Sequence, residues 1–275
     1  MYLVFDIGGT NMRIAVSSDG KTLTATKTIL TPKDFNQGIQ HLKQAADELS
    51  QGQKIQAIAG GVAVVFDGQR QTLIKSAHLP NWVGKPLLVE LKRMFDCPIF
   101  LQNEAALEGL GEAVLGSGKD KKLVVLITVG TGVGGVKIVN GRFDDNLLGF
   151  EPGHQIIVPD GEECTCGGKG HLEAYVGGSY LEKRYGQKAK NIKDPQIWDR
   201  IAKYLAIGLY NSSVHWSPEV IILGGSVVKS IPLESVRNYL QEFSTIFPQM
   251  PELKLVTLGD EAGLIGALEY LKQQM

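Results

Sequence analysis

Cysteine is scarce in this chain, with three residues in 275. Three thiols, two of them close to histidines, do not build a disulfide framework, so a reducing compartment and a cytoplasmic enzyme are the expectation. No apolar run approaches the length of a membrane span. Met1 leads directly into a strand-like Tyr2–Phe5, without a basic leader or a cleavable apolar stretch. Charge of one sign is missing too. Lys and Arg number 28 against 29 Asp and Glu, a formal net charge of −1, and no block of like charge stands out. Neither nucleic acid nor a membrane is therefore expected as a standing partner. What remains is an ordinary soluble composition, 43% apolar, on a chain long enough for one large domain or two modest ones.

The two neighbouring thiols carry the densest chemistry. Glu151-Pro-Gly-His154 is followed, nine residues later, by Cys164-Thr-Cys166-Gly-Gly-Lys-Gly-His171-Leu-Glu173. A C-x-C pair offers two thiolates to one ion, and the glycines let the backbone fold around it. His154, Cys164, Cys166 and His171 could then form a closed four-coordinate Zn²⁺ site of structural type. The competing reading is a glycine-rich turn with two incidental buried thiols. Glu151 and Glu173 bracket the cluster without being needed as ligands, and carboxylates beside a rigid loop suit a site that grips hydroxyl groups.

Two other places share one local plan. Tyr2–Phe5 and Met12–Val16 read as strands around Asp6-Ile-Gly8-Gly9-Thr10-Asn11. Leu123–Val129 and Val136–Val139 read as strands around Gly130-Thr131-Gly132-Val-Gly-Gly135. Glycines at such tips let backbone N–H groups approach a phosphate, and Thr10 adds a hydroxyl donor. Asp6 is placed to meet, through water, a metal ion that accompanies the phosphate. A tight hairpin with no ligand is the alternative. Residues 130, 132 and 135 also fit G-x-G-x-x-G, but a dinucleotide fingerprint needs a helix straight after the glycines. A strand and the hairpin signal Asn140-Gly141 follow instead, which argues against a nicotinamide enzyme.

Apolar spacing predicts helices over 34–51, 86–95, 105–112, 196–217 and from 263 to about 272. Strands are expected over 55–65, 99–101, 220–223 and 253–258. The strand at 220–223 enters Gly224-Gly225, which suits the adenosine side of a nucleotide site and equally a tight βα turn. The polar, turn-rich Gly116–Lys122 marks a domain boundary. Gln102-Asn103-Glu104 ends a strand and opens a helix, where α/β sheets place active residues. Asn103 acting only as a helix cap, with Glu104 complementing the dipole, is the simpler alternative.

The Glu151-x-Gly-His154 and Cys164-x-Cys166-Gly-x-x-Gly-x-x-Glu173-Ala pattern resembles the signature of the ROK family (repressors, open reading frames and sugar kinases). The resemblance extends over essentially the whole chain. It implies the ribonuclease-H-like fold of actin and hexokinases: two α/β lobes built on one plan, with a cleft between them. The expected lobes are residues 1–117, onto which a C-terminal helix at 260–275 packs back, and 118–259 carrying the zinc loop. It further implies an ATP-dependent hexose kinase acting on glucose or a related hexose, and by family habit a homodimer. Asp6, Gly8, Gly9, Thr10, Asn11, Gly130, Thr131, Gly132, Gly224 and Gly225 would then hold ATP with its Mg²⁺. Gly61, His78, Asn103, Glu104, Glu151, His154 and Glu173 would hold the sugar, and Glu104 would be the catalytic base.

Four departures from the family pattern stand out. His171 replaces a usual cysteine, which keeps a ligand type zinc accepts. Val62-Ala-Val-Val65 replaces a Pro-Gly turn near the sugar, and His78 stands where asparagine is commoner. Glu104 replaces aspartate, and its extra methylene asks the surrounding loops to make room. A catalytically weak or dead sugar-sensing relative is therefore the second expectation. A DNA-binding repressor is not, because family repressors usually carry a helix-turn-helix segment ahead of the first phosphate turn, where this chain begins.

Overall fold

The protein is described from a computed structural model over residues 1–67, 72–76, 79–144, 146 and 149–275. His78 lies outside the described residues. The chain opens with β1 (Tyr2–Ile7), β2 (Asn11–Ser17), β3 (Ala25–Leu30) and α1 (Phe35–Ser50). Next come β4 (Ala57–Val62), the small ribbon β5 (Val65–Phe66) and β6 (Leu73–Lys75), then α2 (Leu87–Met94), β7 (Ile99–Asn103) and α3 (Glu104–Val114). β8 (Leu123–Val129), β9 (Val133–Val139) and β10 (Arg142–Phe143) precede α4 (Leu172–Val176), α5 (Gly178–Tyr185) and α6 (Pro195–Trp216). β11 (Val220–Gly224), α7 (Leu233–Phe243), β12 (Glu252–Leu255) and α8 (Ala262–Gln274) complete it. Among the described residues, no helix is long and apolar enough to cross a membrane.

The chain divides into two compact units. One comprises Met1–Gly116, Gly141–Leu148 and Leu258–Met275; the other comprises Ser117–Asn140 and Gly149–Thr257. In the first, strands run β3-β2-β1-β4-β7, antiparallel for β1/β2 and β2/β3 and parallel for β1/β4 and β4/β7. Leu3, Val4, Phe5 and Ile7 of β1 are fully buried, as a strand covered on both faces must be. α1 begins at Asp34, whose carboxylate accepts the Gln37 N–H at 2.9 Å. It buries Phe35, Ile39, Leu42 and Ala46 at the spacing read from the sequence. α8 packs on α3 so closely that a Cβ at Gly266 would stand 1.7 Å from Leu107 O. Only glycine permits that backbone contact.

The second unit repeats the plan. Its strands run β9-β8-β11-β12, antiparallel for β8/β9 and parallel for β8/β11 and β11/β12. Its core gathers Val125 and Ile127 of β8, Ile221 and Leu223 of β11, Leu172 and Val176 of α4, and Ile201, Leu205 and Leu209 of α6. Asn140 and Gly141 both take left-handed angles (φ 52° and 70°), the geometry a two-residue hairpin needs. β9 starts at Val133 rather than at 136, because Val133 pairs with Val129 and the ladder runs the full length of β8. β4 is shorter than the expected 55–65 and β12 ends at Leu255. β3, α4, α5 and α7 were not expected from the sequence.

Candidate active-site groups

In the first unit, β1 hands the chain to Gly8-Gly9-Thr10. The Gly8 N–H donates to Asn11 O at 2.9 Å. Thr31 takes the turn's carbonyls: its hydroxyl donates to Gly8 O (2.8 Å) and its N–H to Thr10 O (2.9 Å). Gly9 and Thr10 stay exposed. Asp6, just before the turn, is 14% exposed and 3.6 Å from Arg13 Nη1. Burial pushes the Asp6 carboxyl up to about 6, against the pull of Arg13. Its Oδ1 is buried without a hydrogen-bond partner among the described residues. An orphaned buried acceptor costs about 1–3 kcal/mol, and a hydrated cation would satisfy it.

β7 delivers Asn103 and Glu104 to the same region. Asn103 is the N-cap of α3, its Oδ1 accepting from Ala105 N (2.9 Å) and Ala106 N (3.3 Å). Its Nδ2 donates to Val64 O at 3.0 Å. The cap reading is therefore correct as far as it goes, and among the described residues one amide hydrogen of Asn103 has no partner. Residues 62–64 do not swing away. They fold into the core and anchor Asn103. Two glycines lie beside Glu104. A Cβ at Gly61 would stand 3.2 Å from Glu104 Cα and 3.5 Å from Asp6 Oδ1, and one at Gly8 would stand 3.5 Å from Glu104 Oε2.

Burial, then the Asp6 charge, then that of Glu108, push the Glu104 carboxyl up to about 8. Glu108, one turn further along α3, is pushed up to about 7 by burial and by Asp6 and Glu112. Helix-dipole stabilisation of about 0.3–1 kcal/mol at the α3 N-terminus is too small to reverse burial and two like charges. Sequence reading did not single out Glu108. The i, i+4, i+8 series Glu104, Glu108, Glu112 was the available signal.

In the second unit, the Gly130 N–H donates to Gly132 O at 2.9 Å, and the N-terminus of α5 takes the turn's carbonyls. Gly178 N donates to Gly130 O (2.8 Å), and Ser179 N and Oγ both donate to Thr131 O at 3.0 Å. Glu173 on α4 accepts the Val133 N–H at 2.8 Å. A Cβ at Gly132 would stand 2.5 Å from Glu173 Oε2, so that carboxylate would have to shift. Gly225 (φ 90°) turns back so that its Cβ position lies 2.4 Å from Val129 O, and Gly224 pairs with Thr128. The structure thus gathers the Gly130 turn, Gly224-Gly225 and Glu173. Glu151 and His154 instead line a cavity of about 480 Å³ with Gln155, Asn211, His215 and Trp216.

The four candidate metal ligands converge, with all their donor atoms within 4.8 Å of one another. Cys164 Sγ lies 3.7 Å from His154 Nδ1 and Cys166 Sγ lies 3.2 Å from His171 Nδ1. Tetrahedral zinc, with its usual bond lengths to sulfur and nitrogen, holds such atoms about 3.6 Å apart. The donor set and spacing fit that ion. A Cβ at Gly168 would stand 2.4 Å from the His171 ring, so the loop must be bare there.

Two units that share the order of four strands, an antiparallel pair extended by two parallel strands, each opening on a glycine turn, define a ribonuclease-H-like fold of the actin and hexokinase type. The chain belongs to the ROK family, whose model matches residues 2–274. The ROK hexokinase from Thermus thermophilus is a similar solved structure, with 30% identity, a TM-score of 0.86 and 99% of each chain covered. Glucokinase of Thermotoga maritima is 26% identical over 309 residues, spanning 98% of this chain and 96% of that protein. The xylose repressor of Bacillus spizizenii is 30% identical over 229 residues, spanning 75% of this chain and 59% of the repressor.

Proposed function

We propose that this protein is an ATP-dependent hexose kinase, transferring the γ-phosphate to the 6-hydroxyl of glucose or a related hexose. The observation that carries the reading is Glu104: a carboxylate enclosed at the end of β7, beside the Gly8 turn and Asp6, with a raised proton affinity. A group at such a position can accept the proton of an attacking hydroxyl. The sugar oxygen then bonds to the γ-phosphorus, the bond to the ADP oxygen breaks, and the proton rests on a Glu104 oxygen. Mg²⁺ bound with ATP would neutralise phosphate charge, and the orphaned Asp6 Oδ1 supports a place for its hydration shell.

Asp6, Gly8, Gly9, Thr10 and Asn11 would serve the phosphates from the first unit, and Gly130, Thr131, Gly132, Gly224 and Gly225 the nucleotide from the second. Asn103 and Gly61 in the first unit, and Glu151, His154 and Glu173 in the second, would each offer groups to sugar hydroxyls. Site groups built to pair with hydroxyls discriminate strongly against sugars that lack them. One structural Zn²⁺ on His154, Cys164, Cys166 and His171 would stiffen the loop that carries His154. The likeness to the Thermotoga glucokinase along nearly the whole chain supports a kinase of this class. A homodimer is the assembly proposed with it.

The test is a coupled ADP-release assay with ATP and Mg²⁺ over neutral and N-acetylated hexoses. Release with at least one hexose is the expected outcome. Silence across the panel from folded protein would favour a sugar-sensing regulator, the reading that the likeness to a xylose repressor supports.

A further inference from the structure

α5 meets the cysteine loop with two side chains one helical turn apart. Tyr180 is 9% exposed and reaches the C-x-C turn. Its hydroxyl oxygen accepts the Thr165 N–H at 2.6 Å and stands 3.2 Å from Thr165 Oγ1. Its hydrogen is donated to Cys164 Sγ at 3.4 Å. A phenol has one hydrogen to give. Thr165 Oγ1 and Cys164 Sγ are both within reach of that one hydrogen, and a metal-bound, anionic sulfur is the stronger acceptor of the two. Cys164 is only 4% exposed, which keeps water from competing. One turn on, Arg184 Nη2 donates to Glu162 Oε2 (2.5 Å) and to Ala174 O (2.8 Å), anchoring the loop without touching a thiol.

We propose that Tyr180 is a positioning residue of the metal loop, holding the Cys164 thiolate and the Thr165 amide together so that the C-x-C turn is preset to bind metal. The proposal rests on the zinc reading above and adds a residue outside the ligand set. Two effects follow from one hydroxyl. Fixing the Thr165 amide sets the direction of the turn between the two cysteines, so less ordering is left for the ion to impose. The O–H···S bond stabilises a negative sulfur that would otherwise sit buried with little hydration. Outer partners of this kind typically change metal affinity 10–100-fold when removed.

Tyr180→Phe keeps the ring and its packing and removes only the hydroxyl. The whole protein is loaded with Zn²⁺ for release measurements and with Co²⁺ for spectroscopy. Zn²⁺ transfer to a chromogenic chelator should quicken about 10–100-fold in the variant. The thiolate-to-cobalt charge-transfer band should move to longer wavelength, because a sulfur without its hydrogen bond donates from a higher-energy lone pair. Arg184→Ala should loosen the loop and leave that band in place, which separates a thiolate contact from general bracing. Should the phenylalanine variant fail to fold, 3-fluorotyrosine at position 180 alone is a stronger donor of nearly the same shape, and it should move the band the opposite way. An unmoved band with parental zinc release, or an equal band shift from Arg184→Ala, overturns the proposal. Parent protein that takes up no Co²⁺ overturns the zinc reading itself, and that is seen before any variant is compared.

Discussion

The two glycine turns start from the same sheet geometry and end in different chemistry. Each follows a strand paired antiparallel on one side and parallel on the other. Each closes an N–H onto a carbonyl across its tip, Gly8 to Asn11 and Gly130 to Gly132. The first has its carbonyls taken by Thr31, the second by the opening residues of α5. One position before the end of the strand stands Asp6 in the first unit and Thr128 in the second. The first unit thus collects Asp6, Glu104 and Glu108 where ionisation is resisted. The second commits its nearby carboxylate, Glu173, to the Val133 N–H. A duplicated backbone can therefore carry two unlike roles: one copy stores proton affinity, the other ties its carboxylate into a hydrogen-bonded frame.

The sharpest break in that comparison is Glu104→Gln. Turnover should fall by about 10²–10⁴-fold, the usual contribution of a positioned base, while sugar binding measured by calorimetry stays nearly unchanged. Glu104→Asp withdraws the carboxylate by roughly 1.5 Å and should slow turnover by on the order of a hundredfold. A glutamine variant as fast as the parent would place the base elsewhere.

Metal removal tests the second unit alone. Elemental analysis should find one zinc per chain, held by the residues of the cysteine loop. Stripping it should weaken sugar binding by about tenfold or more, equivalent to about 1.4 kcal/mol, and speed proteolysis between residues 155 and 171. The pH dependence that arises in the first unit should not move. Full sugar affinity in metal-free protein would show that the loop needs no ion.

A smaller effect is expected from a single methyl group. Gly132→Ala drives a Cβ to 2.5 Å from Glu173 Oε2, whereas Gly130→Ala meets nothing within 4 Å. The first should lower stability by about 1–3 kcal/mol and raise KM for the sugar; the second should melt with the parent. Equal melting of the two variants would mean that Glu173 yields freely.

The mildest change concerns protons. A base must be ionised to act, so kcat/KM should climb with pH and level off above about 8, where the free-enzyme Glu104 titrates. Glu108→Gln removes one of the charges that raise it, and the limb should move to lower pH by less than about one unit. Stability runs the other way. The Glu104 carboxyl rises from 4.5 to about 8 on folding, so the folded chain binds the proton more tightly. That contribution is complete below about 4.5 and is lost as pH rises through 8. A limb that ignores Glu108→Gln would separate the two carboxyls electrostatically.

Much of this was readable locally. The strands around residues 6–11, the helix at Phe35–Ser50 and the Asn140-Gly141 hairpin each rest on spacing or turn chemistry within a few residues. β3 escaped because Ala-Thr-Lys-Thr-Ile-Leu buries neither face well, leaving Leu30 74% exposed. α4 and α5 escaped because the short α4 segment (Leu172–Val176) and the glycine pair that follows it read as loop, and α7 (Leu233–Phe243) was passed over.

By itself the sequence determined the duplicated strand–turn–strand plan, the clustering of His154, Cys164, Cys166 and His171, and the strand-end place of Asn103-Glu104. These are properties of neighbours along the chain, and short-range sterics and donor chemistry suffice to write them. Tertiary structure alone decided which carboxyls resist ionising, since that depends on how much water and how many charges packing leaves around Asp6, Glu104 and Glu108. It alone decided that Glu173 serves Val133, and that Tyr180 reaches back sixteen residues to Cys164. Desolvation and through-space contact have no period in a sequence; they exist only once the chain has folded and water has been excluded.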